Sequence, residues 1–262
     1  NIEMIARLES LQIGKPISDA RDEAALGARV FEYYAGAIGK FCGQTNPVSG
    51  GGFDFTLRQS MGVVAAIVPW NFPFPIACWK VAPALAAGNA VVLKPASLSP
   101  LTALVLAELA HRAGLPVGVL QVLPGPGSAM GDALVRHPRV RKVSFTGSTE
   151  VGRHIMALAS QDLKRISLEL GGKSPNIVFA DADWKRAAES SPMSVFANTG
   201  QDCCARSRVF VERSVFEPFV EAFVSTTRKL VVGDPGADET QIGPMVSGGQ
   251  RATVEEFLKD AR

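Results

Sequence analysis

The chain has 262 residues, enough to bury one large core or two medium ones. Apolar residues make up 47% and charged residues 20%, and the formal net charge is only +2, so a disordered chain and a nucleic-acid partner are both excluded. Four cysteines are too few for a disulfide scaffold, and two are adjacent, which suits a reactive thiol in a reducing, cytoplasmic compartment.

The N-terminal residues are mixed and polar, unlike a secretory leader, and the apolar stretch 61–69 is too short to span a bilayer. No membrane and no metal are expected. Residues 1–40 predict two amphipathic helices, with Asp19 as a cap and Ala24, Leu26 and Val30 at helical spacing. Residues 41–60 are rich in Gly, Thr and Asn, then alternate as Phe53, Phe55 and Leu57. That pattern predicts a β-hairpin over about 43–60, with a surface loop carrying edge strands as the alternative.

From Gly62 the chain alternates strand and helix: strand 63–68, helix 74–87, strand 90–94, helix 100–113 stopped by Gly114, and strand 119–123. The fold class is therefore α/β, a doubly wound Rossmann-like parallel sheet. Residues 136–142 are mildly basic and are expected to form a solvated loop. A second α/β pattern follows: strand 177–179, helix 183–197, strand 207–211, helix 215–230, and a helical pattern over 251–262. Gly171-Gly172 serves equally as a hinge or as a tight turn. Taken as a hinge, it divides a first domain, 1–171, from the start of a second α/β catalytic domain, 172–262. The chain begins and stops inside helical patterns, so further segments are expected at both ends.

Ligands of doubly wound sheets bind beyond the carboxyl ends of the strands. Asn71, Lys94, Gly125 and Ser148 all fall just after predicted strands, so one crevice could collect them. Gly125-Pro126-Gly127-Ser128-Ala129-Met130-Gly131 departs from the usual dinucleotide spacing and could be a plain turn. Ser148, between Gly147 and a helix beginning near Thr149, could hold a pyrophosphate on backbone amides or simply cap the helix.

Three runs carry chemistry: Val68-Pro69-Trp70-Asn71-Phe72-Pro73, Leu168-Glu169-Leu170-Gly171-Gly172-Lys173-Ser174-Pro175 and Gly200-Gln201-Asp202-Cys203-Cys204. Cys203 offers a thiol nucleophile, helped by amide dipoles of a helix expected beyond Gly200; two small core residues are the bland alternative. Asn71, held between prolines, offers an oxyanion donor, or it ties down its turn. Glu169 alternates with Leu168 and Leu170, so its side chain opposes theirs. It is either a base with a raised pKa beside an apolar cleft or a solvent-facing strand residue.

These runs, with Lys94-Pro95-Ala96 and Phe145-Thr146-Gly147-Ser148 in the same order, closely resemble the aldehyde dehydrogenase superfamily of the NAD(P)-dependent, hydrolytic type. The resemblance covers nearly the whole chain and implies that family members are longer. It implies that Cys203 attacks an aldehyde, that Asn71 and the Cys203 amide stabilise the oxyanion, and that Glu169 activates water to hydrolyse the thioacyl intermediate. Lys173 would position catalytic groups. It assigns Val68, Trp70, Lys94, Ser97, Gly127, Gly131, Gly147 and Ser148 to the cofactor side. Phe72, Ile76, Trp79 and Asp202 fall to the substrate side. Three of those four are apolar, which favours an aliphatic or aromatic aldehyde; Asp202 could instead favour an aminoaldehyde of the betaine-aldehyde type. No arginine stands among them. The hairpin would join a homodimer or homotetramer. Family members that prefer NAD usually carry Glu where this chain has Ser97. A neutral residue there removes repulsion against a 2′-phosphate, so NADP is expected to be tolerated beside NAD.

Three rivals remain at this stage. A CoA-acylating relative lacks the carboxylate at the Glu169 position. A cysteine hydrolase needs a histidine partner, and His111, His137 and His154 sit in no recognisable motif. A catalytically inactive structural or binding protein could keep the fold without turnover.

Overall fold

The computed structural model describes residues 1–260 and resolves into two compact units, Glu23–Glu169 and Asn1–Asp22 with Leu170–Arg262. Two helices open the chain, α1 (Ile2–Ile13) and α2 (Ile17–Ala37), and α2 passes from one unit into the other. Asp19, expected to cap the second helix, lies within its first turn. The helix starts two residues earlier, directly after Pro16, whose fixed φ suits a helix entry.

The unit Glu23–Glu169 is built on a five-stranded sheet. Its strands are β3 (Val63–Ile67), β4 (Ala90–Lys94), β5 (Leu120–Val122), β6 (Val140–Gly147) and β7 (Arg165–Leu170), in the order β5-β4-β3-β6-β7. β3 pairs in parallel with β4 and β6, and β4 with β5. β3 is central, and its Val64, Ala65, Ala66 and Ile67 are buried without alternation, as expected of a strand covered on both faces. Helices α3 (Pro73–Ala86), α4 (Leu101–Arg112), α5 (Asp132–Arg136) and α6 (Thr149–Ser160) connect the strands. In α6 the buried residues Gly152, Ile155, Leu158 and Ala159 recur at helical spacing and face the sheet. Gly114, just past α4, takes φ 91°, the left-handed stop the sequence announced.

From β3 the chain steps outward to β4 and β5, then returns to the other side of β3 as β6. The strand order therefore reverses between β3 and β6, where such sheets open a crevice at their carboxyl ends. The expected hairpin is present as β1 (Thr45–Asn46) paired antiparallel with β2 (Asp54–Phe55). Residues 136–142 are not wholly a solvated loop: Val140, Arg141 and Lys142 already belong to β6, with Val140 buried and Val64 opposite Lys142. Alternation of apolar and basic residues there is strand periodicity rather than loop composition.

The other unit contains a parallel pair, β8 (Pro175–Val178) and β9 (Arg208–Val211), with helices α7 (Trp184–Phe196), α8 (Phe216–Thr227) and α9 (Gly248–Asp260). Its core gathers Val178, Ala188 and Phe219, with Trp184, Val209, Val211 and Phe223 packed around them. α1 belongs here because the chain just after it is pinned to residues 235–244. Ile17 N–H donates to Pro235 O at 2.8 Å, and Arg21 reaches Asp238 at 2.6 Å. Gly14 has φ 79°, and a Cβ there would stand 2.7 Å from Pro244. The last two residues of the helical pattern expected over 251–262 lie outside the described residues. Among the described residues, no helix is long and apolar enough to cross a membrane.

Candidate active site

The loop before Cys203 is held in an unusual conformation. Asn198 (φ 51°), Thr199 (φ 60°) and Gly200 (φ 73°) are three successive left-handed residues. Such φ values cost on the order of 1–3 kcal/mol each for non-glycine residues, so surrounding contacts must hold them. Those contacts are present. The buried Gln201 side chain donates to Asn198 O at 3.0 Å and accepts Val246 N–H at 3.0 Å. Asn198 Nδ2 donates to Gln201 O at 3.2 Å, and the Thr199 hydroxyl donates to Gly243 O at 2.8 Å.

No helix follows Gly200, contrary to expectation. Residues 201–207 contain a turn and otherwise irregular backbone leading to β9. The glycine ends a left-handed turn instead of opening a helix, so no helix dipole lies behind Cys203 on that side. The thiol is accordingly not favoured as thiolate by its neighbours. Burial pushes its pKa up to about 11, helped by the hydrogen-bonding contact with Cys204 and the charges of Cys204 and Asp202. Cys203 Sγ and Cys204 Sγ are 3.8 Å apart, and Asp202 Oδ1 accepts Cys204 N–H at 2.8 Å. Lys173 sits on the segment running beside this loop. Its Nζ donates to Gly172 O at 3.2 Å, and its carbonyl accepts Arg208 Nε at 2.8 Å. Gly172 lies against the loop, since a Cβ there would be 3.4 Å from Cys203 O.

In the sheet unit, Val68, Trp70, Asn71 and Phe72 follow β3, and Phe72 precedes Pro73 at the start of α3. Val68 N–H donates to Lys94 O at 3.1 Å, which ties this segment to the end of β4. Lys94 is buried, its Nζ donates to Pro95 O at 3.0 Å, and burial holds its pKa below the usual lysine range. The Ser97 hydroxyl donates to Gly125 O at 3.0 Å, bringing the ends of β4 and β5 together. Gly127 and Gly131 belong to a π-helical turn, and a Cβ at either would meet open space. Ser148 caps α6, its Oγ accepting Val151 N–H at 3.3 Å. Gly147 has a packing reason: a Cβ there would be 2.5 Å from the Phe145 ring. Glu169 alternates with Leu168 and Leu170 as expected and is exposed, whereas the two leucines are half-buried.

Two side chains escaped the sequence reading. Lys80, on α3, is buried and donates to Ser144 Oγ at 3.0 Å. Burial lowers its pKa to about 8, the Glu169 carboxylate opposing the shift and Lys142 adding to it. It therefore senses Glu169 electrostatically. Its position one residue after Trp79 was the only available signal. Arg29 is the other. It joins Leu26, Val30, Tyr33, Tyr34 and Trp79 around a cavity of about 340 Å³. Ile76, also assigned to the substrate side, is buried, and Trp79 is half exposed.

The parallel sheet with its strand-order reversal defines an α/β protein. The chain belongs to the aldehyde dehydrogenase family, whose model matches residues 1–262. It is 46% identical over 257 residues to an aldehyde dehydrogenase of Enchytraeus buchholzi, covering 97% of this chain and 52% of that one. It is 46% identical over 258 residues to human retinal dehydrogenase 2, covering 98% and 50%. Among solved structures, an NADP-dependent enzyme of E. coli superposes with a TM-score of 0.97 at 43% identity, covering 99% of this chain and 54% of that one. The chain spans about half the length of the curated relatives it matches.

Proposed function

We propose that the protein carrying this chain oxidises an aldehyde to a carboxylic acid with NAD or NADP, through a covalent intermediate on Cys203. The observation that carries this reading is the strained, clamped loop that presents a half-buried Cys203, in a chain of this family. Cys203, as thiolate, attacks the carbonyl carbon and forms a C–S bond. Asn71 and the Cys203 amide stabilise the oxyanion. Glu169 takes a proton from water, which attacks the thioacyl carbon, and the Cys203 sulfur leaves as thiolate. Lys173 positions this segment. The raised thiol pKa means that the Cys203 proton must pass to solvent before attack.

The sheet unit suits a dinucleotide. Val68 and Trp70 lie beyond β3 and Gly147 and Ser148 at the end of β6, on the two sides of the strand-order reversal. Ser148 and the amides of α6 suit a pyrophosphate, and Gly127 and Gly131 leave open space for close approach. Lys94 and Ser97 would hold the ribose side. When bound, the nicotinamide accepts the hydride removed from the substrate carbon. Ser97 offers a hydroxyl and no charge, which is compatible with a 2′-phosphate.

The substrate is an aliphatic or aromatic aldehyde. The aromatic and aliphatic residues beside Arg29 in the cavity around Trp79 support this; Phe72, Ile76 and Asp202 are assigned to the substrate side by the family resemblance alone. The hairpin exposes Phe53 and Phe55, whose rings are 5.4 Å apart, and is proposed to join a homodimer or homotetramer. Cys42, Cys203 and Cys204 are free thiols, as suits a reducing cytoplasmic setting.

The test is reduction of NAD and NADP by the native protein with aliphatic, aromatic and amino aldehydes, beside Cys203→Ala. Activity that survives the substitution overturns the reading.

A further inference from the structure

One carboxylate oxygen of Asp202 and the two sulfurs of Cys203 and Cys204 all lie within 4.8 Å of one another. The sulfurs are 3.8 Å apart. Two thiolates bound to one tetrahedral zinc ion at about 2.3 Å each stand about 3.8 Å from one another, so the thiols already hold the spacing that a shared cation requires. The Asp202 carboxylate is fixed beside them, because its Oδ1 accepts the Cys204 amide. The loop beneath is held by Gln201, Asn198 and Thr199, so little ordering remains for binding to impose. Asp202 and Cys203 are half-buried and Cys204 is exposed, which leaves an approach for an ion and an open fourth position for water.

We propose that Asp202, Cys203 and Cys204 form a binding site for a soft divalent cation of the zinc or cadmium kind. Two sulfurs favour such ions over magnesium or calcium, which take oxygen ligands. Binding exchanges two thiol protons for one dication, and both protons pass to solvent. An occupied site holds the Cys203 lone pair and leaves no free nucleophile. That consequence rests on the reading of Cys203 given above; the cation site itself does not.

The test is a titration of cadmium ion into the reduced native protein in weak buffer, with Cys42→Ser throughout to remove the other exposed thiol. Binding is followed by the ultraviolet sulfur-to-cadmium charge-transfer absorption and by proton release. The expected result is saturation at one cation per chain with two protons released. Cys204→Ser should roughly halve the absorption per cation and weaken binding by at least about ten-fold, and Asp202→Asn should weaken binding while keeping the absorption. A titration indifferent to Cys204→Ser, or one proton released per cation, overturns the site. Full binding with aldehyde oxidation untouched leaves the site standing and instead removes Cys203 from the reaction, so the two failures are distinguishable.

Discussion

Gln201 Oε1 accepts the amide of Val246 at 3.0 Å, joining the turn before Cys203 to a segment 45 positions further along the chain. The same side chain donates to Asn198 O, so one buried amide holds both ends of a strained turn. Gln201→Ala removes both bonds and leaves the Val246 N–H without this acceptor. The expected cost is about 1–3 kcal/mol, with faster hydrogen exchange at the Val246 amide. Unchanged exchange at Val246 contradicts the clamp.

The Cys203 thiol is pushed up to about 11 by burial first, then by Cys204 and Asp202. Alkylation by iodoacetamide should therefore rise steadily with pH and level off only near that value. Asp202→Asn removes a negative charge that disfavours thiolate, so its profile should shift to lower pH and its rate at neutral pH should increase. A profile that levels off near the ordinary thiol pKa in both proteins contradicts the assignment.

Lys80 has a folded-state pKa of about 8, against 10.5 when unperturbed, chiefly because it is buried. The unfolded chain then binds more protons than the folded one between these values, so this residue makes stability increase with pH across that window. Its contribution is present in full above pH 10.5 and is lost as pH falls through 8. Relative to wild type, Lys80→Met should lose about 3 kcal/mol between the low and high ends of that range. A pH-independent difference in urea midpoints contradicts the shifted lysine.

Ser97 is neutral and donates to Gly125 O. Ser97→Glu places a carboxylate at the proposed ribose side, where it repels a 2′-phosphate. The ratio of kcat/KM for NADP over NAD should fall by about ten-fold or more. An unchanged ratio removes Ser97 from cofactor selection.

Much of this architecture was legible in the sequence. β3 and β4 are short Val-, Ile- and Ala-rich runs bounded by turns, and Gly114 stops its helix where left-handed backbone is needed. Ser148 caps the helix that follows it, one of the two roles its position allowed. What was hidden depends on distant partners. The grouping of Asn1–Asp22 with the later half rests on contacts such as Arg21 to Asp238, which no local pattern reveals. The left-handed turn at Asn198 and Thr199 carries no glycine signal until Gly200, so a following helix was expected where none forms. Lys80 lies among apolar residues of α3, and only the fold brings Ser144 within reach. Arg29 and Trp79 are 50 positions apart and meet on one cavity.

The most direct measurement is mass spectrometry of Glu169→Gln after incubation with aldehyde and oxidised cofactor. With water activation removed, an acyl group should accumulate on the peptide holding Cys203, placed on that sulfur and not on Cys204, while the unaltered protein shows little. Absence of any adduct, or an adduct confined to Cys204, would contradict the roles of Cys203 and Glu169 together.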